Sequence, residues 1–298
     1  MMPTFIIIGA PRSGTTSIYH YLRQHPQIVM SFIKETHFFA YLASRSLPME
    51  VHPDVPWWAK TSDEYQALFH PKENALAIGE STPKYIYVPG VPAQIKAYLP
   101  DVRLICILRN PVQRAYSEYL KNIREGIERR SFEEAIGDEL QNKSDVVESK
   151  NYYVRAGFYF RNLSRFLECF DRSQLTIYFY DDLLKSRLGF MQSMFRDLGV
   201  DPGFVPDTSV RFNHGGVPPI RRNFKMNFRK LLFLRIRSLL PAPINMLFYK
   251  FQMAMQDVVL QVPELPPATG LLLREIYTED VHNLEGLTHK DLSAWAEI

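Results

Sequence analysis

TFIIIGAPRSGTT, residues Thr4–Thr16, joins an apolar run to a loop that carries glycine and hydroxyl side chains. The run Thr4–Gly9 predicts a buried strand, and the pattern at Thr15–Gln24 predicts a helix directly after the loop. A glycine-bearing loop in this position presents backbone N–H groups and a helix N-terminus to a phosphate. We therefore expect this turn to bind a phosphate, against the alternative of an ordinary strand–helix turn that binds nothing.

The loop differs from a nucleoside-triphosphate loop in its cation. Gly9 and Gly14 have the spacing of such a loop, but Thr15 stands where it requires lysine. Arg12 instead places a positive charge inside the loop. This arrangement favours a nucleotide with one phosphate-like group at its 5′ end over ATP.

Three further apolar runs predict strands, at Leu76–Gly79, Val102–Leu108 and Leu175–Tyr180. Their continuous apolar character is typical of strands that are covered on both faces. Helical patterns alternate with them, at Thr15–Gln24, Pro111–Glu125, Phe132–Gln141, Phe158–Phe170, Leu188–Leu198 and Leu265–Leu284. The alternation predicts an α/β, P-loop-like three-layer fold, in which helices flank a mostly parallel central sheet. The proline- and glycine-rich segments around Pro48–Pro56 and Gly199–Pro219 predict loops.

A second cation stands at the end of the third predicted strand, where Arg109 follows Leu108. The carboxyl ends of parallel strands form the edge at which open α/β sheets bind ligands. Ser117 lies eight residues further on, inside the helix predicted from Pro111, and its hydroxyl could reach the same anion. An arginine and a serine at this place would supply a charged and a neutral donor to a second phosphate.

The composition indicates an ordinary globular protein, because 46% of the 298 residues are hydrophobic and 13% are aromatic. Cys106 and Cys169 are too few for a disulfide framework, and both lie in patterns that predict buried thiols. The N-terminal apolar run is too short for a signal peptide or a membrane span, and no later stretch has a spanning length free of charge. We therefore expect a cytoplasmic protein.

The charge is distributed unevenly although its total is only +3. No acidic residue stands between Asp207 and Asp257, and this stretch holds nine basic residues, so the rest of the chain carries −6. The basic residues are Arg211, Arg221, Arg222, Lys225, Arg229, Lys230, Arg235, Arg237 and Lys250. This stretch could lie on anionic lipid, receive an acidic acceptor, or pack as a solvated helix over the core. We expect one domain over residues 1–298, in which about 208–264 form a basic, partly irregular segment.

Taken together, these motifs resemble those of bacterial-type sulfotransferases that use 3′-phosphoadenosine-5′-phosphosulfate (PAPS). The loop Pro11–Thr16 is similar to their 5′-phosphosulfate site, and the element from Arg109 to Ser117 is similar to their 3′-phosphate site. The segments Lys34–Phe39 and Gly79–Tyr85 resemble the catalytic-glutamate segment and a segment near the acceptor site in the heparan-sulfate branch. The C-terminal pattern is also similar, at Leu273, Tyr277, Asp280, Leu284, Leu292 and Trp295.

The resemblance implies how the nucleotide would be held. Arg12 would contact the bridging and sulfuryl oxygens. The 5′-phosphate would be cradled by Ser13, Gly14, Thr15 and Thr16. Arg109 and Ser117 would hold the 3′-phosphate, and Arg221 or Arg222 would correspond to a basic loop that closes over it.

Two residues of the segment Lys34–Phe39 compete for the role of general base. The resemblance implies Glu35, and we expect partial burial to raise the pKa of this glutamate towards neutrality. His37 has an ordinary pKa already near that range. The resemblance favours Glu35 as the base, with His37 orienting the acceptor or sharing the proton. Without the resemblance, it is equally plausible that Glu35 is an ordinary surface charge and His37 a structural histidine.

The chain departs from the heparan-sulfate branch at two cations. Arg12 stands where that branch usually has lysine, which keeps the charge but not its geometry. Ser81 stands where the branch has another lysine, so the acceptor side loses a positive charge unless Lys84 replaces it. These differences count against heparan sulfate itself. We expect a sugar hydroxyl on a glycan or glycolipid as the acceptor, with lipid-like alcohols and polyketide intermediates as alternatives.

Other functions fit the motifs less well. Thr15 disfavours a nucleotide kinase or ATPase with a degenerate phosphate loop, and Glu35 with Arg12 disfavours a non-catalytic protein that binds 3′-phosphoadenosine-5′-phosphate (PAP). No spacing of His, Cys and Asp residues requires a metal ion. The basic segment carries no recognised nucleic-acid motif, so we expect no nucleic-acid partner. It predicts instead a peripheral contact with the inner face of a membrane.

Overall fold

The central sheet is built from five parallel strands in the part of the chain that the structure describes. The computed structural model describes residues 1–46, 59–70, 72–141, 152–209 and 261–296. The strands are β1 (Phe5–Gly9), β2 (Ile28–Met30), β3 (Ala77–Ser81), β4 (Arg103–Leu108) and β5 (Leu175–Phe179). Their order across the sheet is β2-β3-β1-β4-β5, and every neighbouring pair is parallel.

Helices separate the strands along the chain. They are α1 (Thr15–Leu22), α2 (Phe38–Ser46), α3 (Ser62–Gln66), α4 (Val91–Tyr98), α5 (Pro111–Glu125), α6 (Phe132–Gln141), α7 (Tyr159–Leu167), α8 (Tyr180–Lys185), α9 (Arg187–Leu198) and α10 (Pro267–Thr288). Short 3₁₀ turns lie at Pro83–Tyr87, Arg155–Gly157, Arg172–Gln174 and Ser293–Trp295. Each parallel connection requires such a crossover, because the chain must return to the same end of the sheet.

The sheet is buried on both faces. Ile6 and Ile8 belong to one hydrophobic core and Phe5 and Ile7 to the other, because successive side chains of a strand point to opposite faces. The first core includes residues of α2, α4, α7 and α10, and the second includes residues of α1 and α9. The predicted three-layer α/β fold with a mostly parallel sheet is therefore confirmed.

Four of the five strands were predicted, each with boundaries within two residues of those observed. The strand β2 was not predicted, because three residues are too few to show a pattern. All six predicted helices are present, although the one predicted at Phe158–Phe170 is shorter and the one predicted at Leu265–Leu284 extends to Thr288. Residues 199–209 form a loop as predicted, whereas Pro48–Pro56 and residues 210–219 lie outside the described residues.

Asp280 of α10 explains part of the C-terminal pattern. Its two carboxylate oxygens accept hydrogen bonds from the backbone N–H groups of Phe160 and Arg161, both at 2.9 Å. These N–H groups lie in the first turn of α7, where they have no acceptor within the helix. The side chain of Asp280 therefore caps α7 from another helix.

The chain divides into two compact units. The first comprises Met1–Glu118, Arg130–Asn213 and Leu265–Ile298, and it contains the whole sheet. The second comprises Tyr119–Arg129 and residues 214–264, of which the structure describes 119–129 and 261–264. The single domain that we predict over residues 1–298 remains a prediction.

Candidate active site

The loop between β1 and α1 ends with a glycine at the N-terminus of the helix. Gly14 is the N-cap of α1, and it has no side chain that could cap the first turn. The N–H groups of that turn have no acceptor within the helix, so they form a site for a phosphate. Ser13 is fully buried, and its Oγ has no hydrogen-bond partner among the described residues. A ligand at this loop would relieve the unfavourable burial of an unpaired hydroxyl.

Gly14 is required at the start of α1 for two reasons. Its φ of 80° lies in the left-handed region, which favours glycine. A Cβ there would also lie 2.9 Å from Cδ2 of Leu183 and 3.1 Å from the ring of Tyr180. Thr15 and Thr16 follow directly in the first turn of the helix. The four residues from Ser13 to Thr16 therefore surround this helix N-terminus.

Arg12 connects the loop to α5. Its Nε donates a hydrogen bond to Oγ of Ser117 at 3.2 Å, and Oε2 of Glu118 lies 3.8 Å from the same nitrogen. The side chains of Arg12 and Glu118 are only 11% and 16% exposed, so the ion pair is largely shielded from water. The structure thus brings together two predicted site residues, Arg12 and Ser117, that are 105 positions apart in the sequence.

The turn after β4 leads directly into α5, whose first turn is capped by a side chain. Oδ1 of Asn110 accepts hydrogen bonds from the N–H groups of Val112 and Gln113, at 3.0 and 3.2 Å. Asn110 is therefore the N-cap, and Pro111 occupies the first helical position, where its missing N–H costs nothing. The amide nitrogen of Asn110 also donates to the carbonyl of Trp295 at 3.2 Å. These contacts fix the backbone that carries Arg109.

Arg109 itself points towards the phosphate loop. Its Nη1 donates to the carbonyl oxygen of Arg12 at 3.3 Å, and its guanidinium lies 5.1 Å from the centre of the Tyr180 ring. Its Nε is buried and has no hydrogen-bond partner among the described residues. Burial lowers the pKa of Arg109 from its ordinary value, an effect that a bound anion would oppose.

The segment Lys34–Phe39 forms a tight turn, named the acceptor turn, that leads into α2. Glu35 and His37 have φ angles of 63° and 57°, which residues other than glycine rarely adopt. The N–H of Glu35 donates to the carbonyl of Ser81 at 2.9 Å, and the carbonyl of His37 accepts from the N–H of Tyr41 at 2.9 Å. The turn is therefore attached to the carboxyl end of β3, which pairs with β1.

Lys34 determines the charge state of this turn. Its Nζ lies 2.5 Å from Oε1 of Glu35, and Nε2 of His37 lies 3.9 Å from Oε2 of the same carboxylate. Burial alone would raise the pKa of Glu35, but the positive charges of Lys34 and then His37 outweigh it and lower this pKa to about 2. The expectation that burial raises the pKa of Glu35 towards neutrality is therefore wrong. The side chain remains 39% exposed, and a lysine is its nearest partner.

His37 is uncharged at neutral pH. Burial lowers its pKa to about 4, although the negative charge of Glu35 opposes this shift. Its side chain is only 9% exposed. The turn thus presents a carboxylate and a neutral imidazole, two groups that are both able to accept a proton.

Glu80 lies behind the acceptor turn, on β3, and it is fully buried. Tyr65 donates to its Oε1 at 2.7 Å, and the hydroxyls of Thr36 and Thr82 donate to its Oε2 at 2.6 and 2.9 Å. Burial raises the pKa of Glu80, while hydrogen bonds from Thr36, Tyr65 and Thr82 act in the opposite direction. The sequence patterns assigned no role to Glu80, since the hydroxyls of Thr36 and Tyr65 come next to it only in the folded chain.

Lys34 and Lys84 carry positive charge in or close to the acceptor turn, whereas position 81 is a serine. The charge of Lys84 acts on both Glu35 and His37 and lowers the pKa of each. Ser81 is fully buried, and its Oγ has no hydrogen-bond partner among the described residues. Lys34 and Lys84 therefore both contribute to the potential at this turn.

Some predicted features are wrong or lie outside the described residues. Arg221 and Arg222 fall in the range 210–260, which the structure does not describe. Cys106 is buried as predicted, whereas Cys169 is partly exposed, so the prediction of a buried thiol is wrong there. No helix in the described ranges is long and apolar enough to cross a bilayer. The same ranges bring together no group of three or more His, Cys, Asp or Glu side chains that could hold a metal ion.

Comparison with known proteins identifies the family. Residues 2–209 match the family model described as the sulfotransferase domain. The chain belongs to this sulfotransferase family. The matched residues include the phosphate loop, Arg109, Ser117 and the acceptor turn. A crystal structure of a sulfotransferase from Alicyclobacillus acidocaldarius is 26% identical to this sulfotransferase-family chain, with a TM-score of 0.73 and 99% of each chain covered.

Curated relatives match the sulfotransferase-family chain over part of their length. Membrane-associated sulfotransferase kil1 from Dictyostelium discoideum is 36% identical over 155 residues, which are 50% of this chain and 29% of the relative. The human bifunctional heparan sulfate N-deacetylase/N-sulfotransferase 2 is 27% identical over 71% of this chain and 24% of its own length. The mouse heparan sulfate glucosamine 3-O-sulfotransferase 3B1 is 27% identical over 74% of this chain and 52% of its own length. The chain therefore spans between about a quarter and about half of these relatives.

Proposed function

We propose that this protein transfers a sulfuryl group from PAPS to an acceptor hydroxyl. The observation that carries the proposal is the hydrogen bond from Arg109, at the end of β4, to the carbonyl of Arg12 in the loop after β1. Two cations joined in this way suit one ligand with an anion at each end. Membership of the sulfotransferase family supports PAPS as that ligand.

The residues present fit the two ends of PAPS. Two buried donors without partners among the described residues, Oγ of Ser13 and Nε of Arg109, stand at the loop and at the end of β4. We assign the 5′-phosphate to residues 13–16, the sulfuryl and bridging oxygens to Arg12, and the 3′-phosphate to Arg109 and Ser117. Arg221 or Arg222 remains our proposal for the loop that closes over the 3′-phosphate. Bound there, PAPS supplies an activated sulfuryl group whose leaving group is a nucleotide phosphate.

Charge stabilisation at the phosphate loop is the main catalytic contribution that we propose. Sulfuryl transfer resembles phosphoryl transfer, in which positioning and electrostatic stabilisation supply most of the catalysis. Negative charge grows on the leaving phosphate as its bond to sulfur breaks. Arg12 and the N–H groups at the start of α1 are the donors that we assign to this phosphate. The contacts of Arg12 with Ser117 and Glu118 restrict its guanidinium before a ligand binds.

Glu35 is the base that we propose, with His37 orienting the acceptor or sharing the proton. A carboxylate with a pKa of about 2 is a weak base towards a free alcohol. The hydroxyl becomes a much stronger acid as its oxygen bonds to sulfur, so the carboxylate accepts the proton late in the transfer. General-base help of this kind is typically worth ~10²–10⁴-fold in rate. His37 is the alternative base, since its imidazole is neutral at the same pH.

A sugar hydroxyl on a glycan or glycolipid is the acceptor class that we propose. Relatives named a heparan sulfate glucosamine 3-O-sulfotransferase and a carbohydrate sulfotransferase support this class. Ser81 counts against heparan sulfate itself, because the heparan-sulfate branch has a lysine at that position. Lys34 and Lys84 keep the acceptor side positive, which favours an acceptor that carries anionic groups near the reacting hydroxyl.

Nucleotide binding is the first test of the function. We expect PAP to raise the melting temperature more than ATP with magnesium does, and calorimetry to give a measurable heat with PAP. At a ligand concentration 100 times the Kd, binding stabilises the folded state by about 2.7 kcal/mol. Stronger stabilisation by ATP would favour the kinase or ATPase alternative. No heat with PAP would overturn the proposal.

Group transfer is the second test. Purified protein is incubated with labelled PAPS and a panel of desulfated glycosaminoglycans, galactosylceramide and long-chain alcohols, and products are identified by mass spectrometry. Glu35→Gln should lower the rate more than His37→Asn if Glu35 is the base. Binding of PAP without transfer to any acceptor or to water would favour the non-catalytic PAP-binding alternative.

We also propose a peripheral membrane contact through the basic segment at about 208–264. Nine basic residues and no acidic residue lie between Asp207 and Asp257, which supports an attraction to anionic lipid. A relative is named a membrane-associated sulfotransferase. Co-sedimentation with phosphatidylserine-containing vesicles at low salt tests the contact, with phosphatidylcholine vesicles as the control. Equal recovery with both vesicles would contradict it.

A further inference from the structure

A carboxylate is buried in the core next to the acceptor turn. Glu80 stands on β3 in register with Ile6 of β1, and both residues have no exposed surface. The rings of Phe38 and Tyr65 are stacked beside it, with their centres 4.4 Å apart. A buried carboxylate is tolerated only when it is well paired or hydrogen-bonded. The burial of a carboxylate where an apolar side chain would also fit therefore suggests that Glu80 has a specific role.

The hydrogen bonds around Glu80 all lead to its carboxylate as the acceptor. Thr36 donates to Oε2 of Glu80 at 2.6 Å, so its proton is not available for Tyr85, whose hydroxyl lies 3.2 Å away. Tyr85 accepts from the N–H of Phe39 at 3.2 Å, and its own hydroxyl is a donor to Thr36 or to Glu80, on whose pKa its hydrogen bond also acts. Thr82 and Tyr65 also donate to the carboxylate. Glu80 is thus the final acceptor of a chain that begins in α2.

Thr36 connects this hydrogen-bond network to the acceptor turn. It lies between Glu35 and His37, whose positive φ angles need support from the surrounding structure. Its side chain is fully buried, whereas that of Glu35 is 39% exposed. The bond from Thr36 to Glu80 therefore fixes the middle of the turn to the sheet.

We infer that Glu80 is a positioning residue, which holds Glu35 and His37 in place through its hydrogen bond with Thr36. The inference rests on the proposed function, because it assigns the reacting groups to this turn. The carboxylate of Glu80 accepts from three hydroxyls, which determines one arrangement of the turn where a smaller or apolar side chain would permit several.

The test compares variants at both ends of the bond. Thr36→Val removes the donor at nearly constant volume, Thr36→Ser keeps it, and Glu80→Met removes the acceptor. Thr269→Val is the matched control, since Thr269 is also buried and donates to a glutamate, Oε1 of Glu133, at 3.2 Å. The readouts are the pKa of His37 by NMR, the release of PAP from PAPS by hydrolysis, and PAP affinity by calorimetry.

Loss of the anchor should change the turn without changing the nucleotide site. We expect Thr36→Val to raise the pKa of His37 from about 4 towards its ordinary value of 6.5, by about one unit or more, because a loosened turn exposes the imidazole. The charges that act on this group, Glu35, Lys84 and Lys34, are unchanged in the variant. PAP release should fall roughly 10²-fold, as expected when reacting groups move by about 1 Å. PAP affinity should match that of the unmodified protein.

The pattern across variants decides the inference. Thr36→Ser should retain the pKa and the rate, Glu80→Met should behave as Thr36→Val does, and adding Thr36→Val to Glu80→Met should have no further effect. If Glu80→Met does not fold, the valine and serine variants of Thr36 decide alone. An unchanged pKa of His37 in Thr36→Val, or equal effects of valine and serine, would overturn the inference. A protein that does not bind PAP would instead refute the proposed function.

Discussion

The guanidinium of Arg109 donates a hydrogen bond to the main-chain carbonyl of Arg12, with 3.3 Å between Nη1 and the oxygen. The bond joins the end of β4 to the loop that follows its neighbour β1. It therefore holds the Arg109 guanidinium against the backbone of the loop that carries Arg12. The guanidinium still has a buried Nε without a partner among the described residues, so it retains a donor for a ligand.

Arg109→Ala should weaken PAP binding roughly 10- to 100-fold, because a hydrogen bond to a charged group contributes about 1.5–3 kcal/mol. The PAP affinity of Arg109→Lys should lie between those of the unmodified protein and Arg109→Ala, since lysine keeps the charge but loses the planar fork and the stacking on Tyr180. Calorimetric titration with PAP measures both variants. Arg161→Ala, at an exposed position of α7, is the control and should leave the Kd unchanged. An unaltered affinity in Arg109→Ala would remove this residue from the nucleotide site.

Arg12→Ala should lower the rate of PAPS consumption more than it lowers PAP affinity. Arg12 is assigned to oxygens that gain charge during transfer, and PAP lacks the sulfuryl group. Loss of one such donor typically costs ~10²–10³-fold in rate. Single-turnover release of PAP, set beside the calorimetric Kd for PAP, separates the two effects. A loss of affinity as large as the loss of rate would mean that Arg12 acts in ground-state binding instead.

The sequence is most informative where structure depends on neighbouring residues. The continuous apolar runs predict four strands, and the rule that ligands bind at strand ends identifies Arg109 as a candidate ligand of an anion. Four helices, α2, α3, α4 and α8, are not predicted, because segments of five to nine residues show few repeats of a helical period. One of them carries a readable signal, since Thr61 and Glu64 form a capping box at the start of α3.

The acceptor turn is predicted less completely, because its chemistry depends on contacts between distant segments. The motif indicates Glu35 and His37, but it shows neither their positive φ angles nor the burial of Glu80, which accepts a hydrogen bond from Tyr65 of α3. The pKa of Glu35 is predicted in the wrong direction for a related reason. The prediction considers burial without the ion pair to Lys34, and that charge has the larger effect.

Gly79→Ala should destabilise the fold, because a Cβ at this position would lie 2.1 Å from the ring of Phe5 on the adjacent strand. Overpacking of this kind typically costs about 1–3 kcal/mol. Gly137→Ala is the matched control in the interior of α6, where nothing lies within 4 Å of the new methyl group. It should stabilise the protein by about 0.5–1 kcal/mol, the difference in helix preference between the two residues. Urea unfolding of both variants measures the free energy of unfolding, and equal values would contradict the close packing of β1 against β3.

The stability of the fold should decrease as the pH falls from 6.5 to about 4, in part because of His37. Burial keeps the pKa of His37 at about 4, below its ordinary value of 6.5, so the unfolded chain binds a proton in this window and the folded chain does not. The stabilisation is therefore complete above pH 6.5 and is lost as the pH falls, by roughly 3 kcal/mol in total for a shift of this size. Burial also lowers the pKa of His20 to about 4, so His37→Gln should reduce the pH dependence without abolishing it. Glu35 contributes at lower pH, between its ordinary pKa of 4.5 and about 2. Urea unfolding across this range measures the slope, with His282→Gln as the exposed control. A His37→Gln variant that keeps the full slope would show that protonation of His37 does not oppose folding.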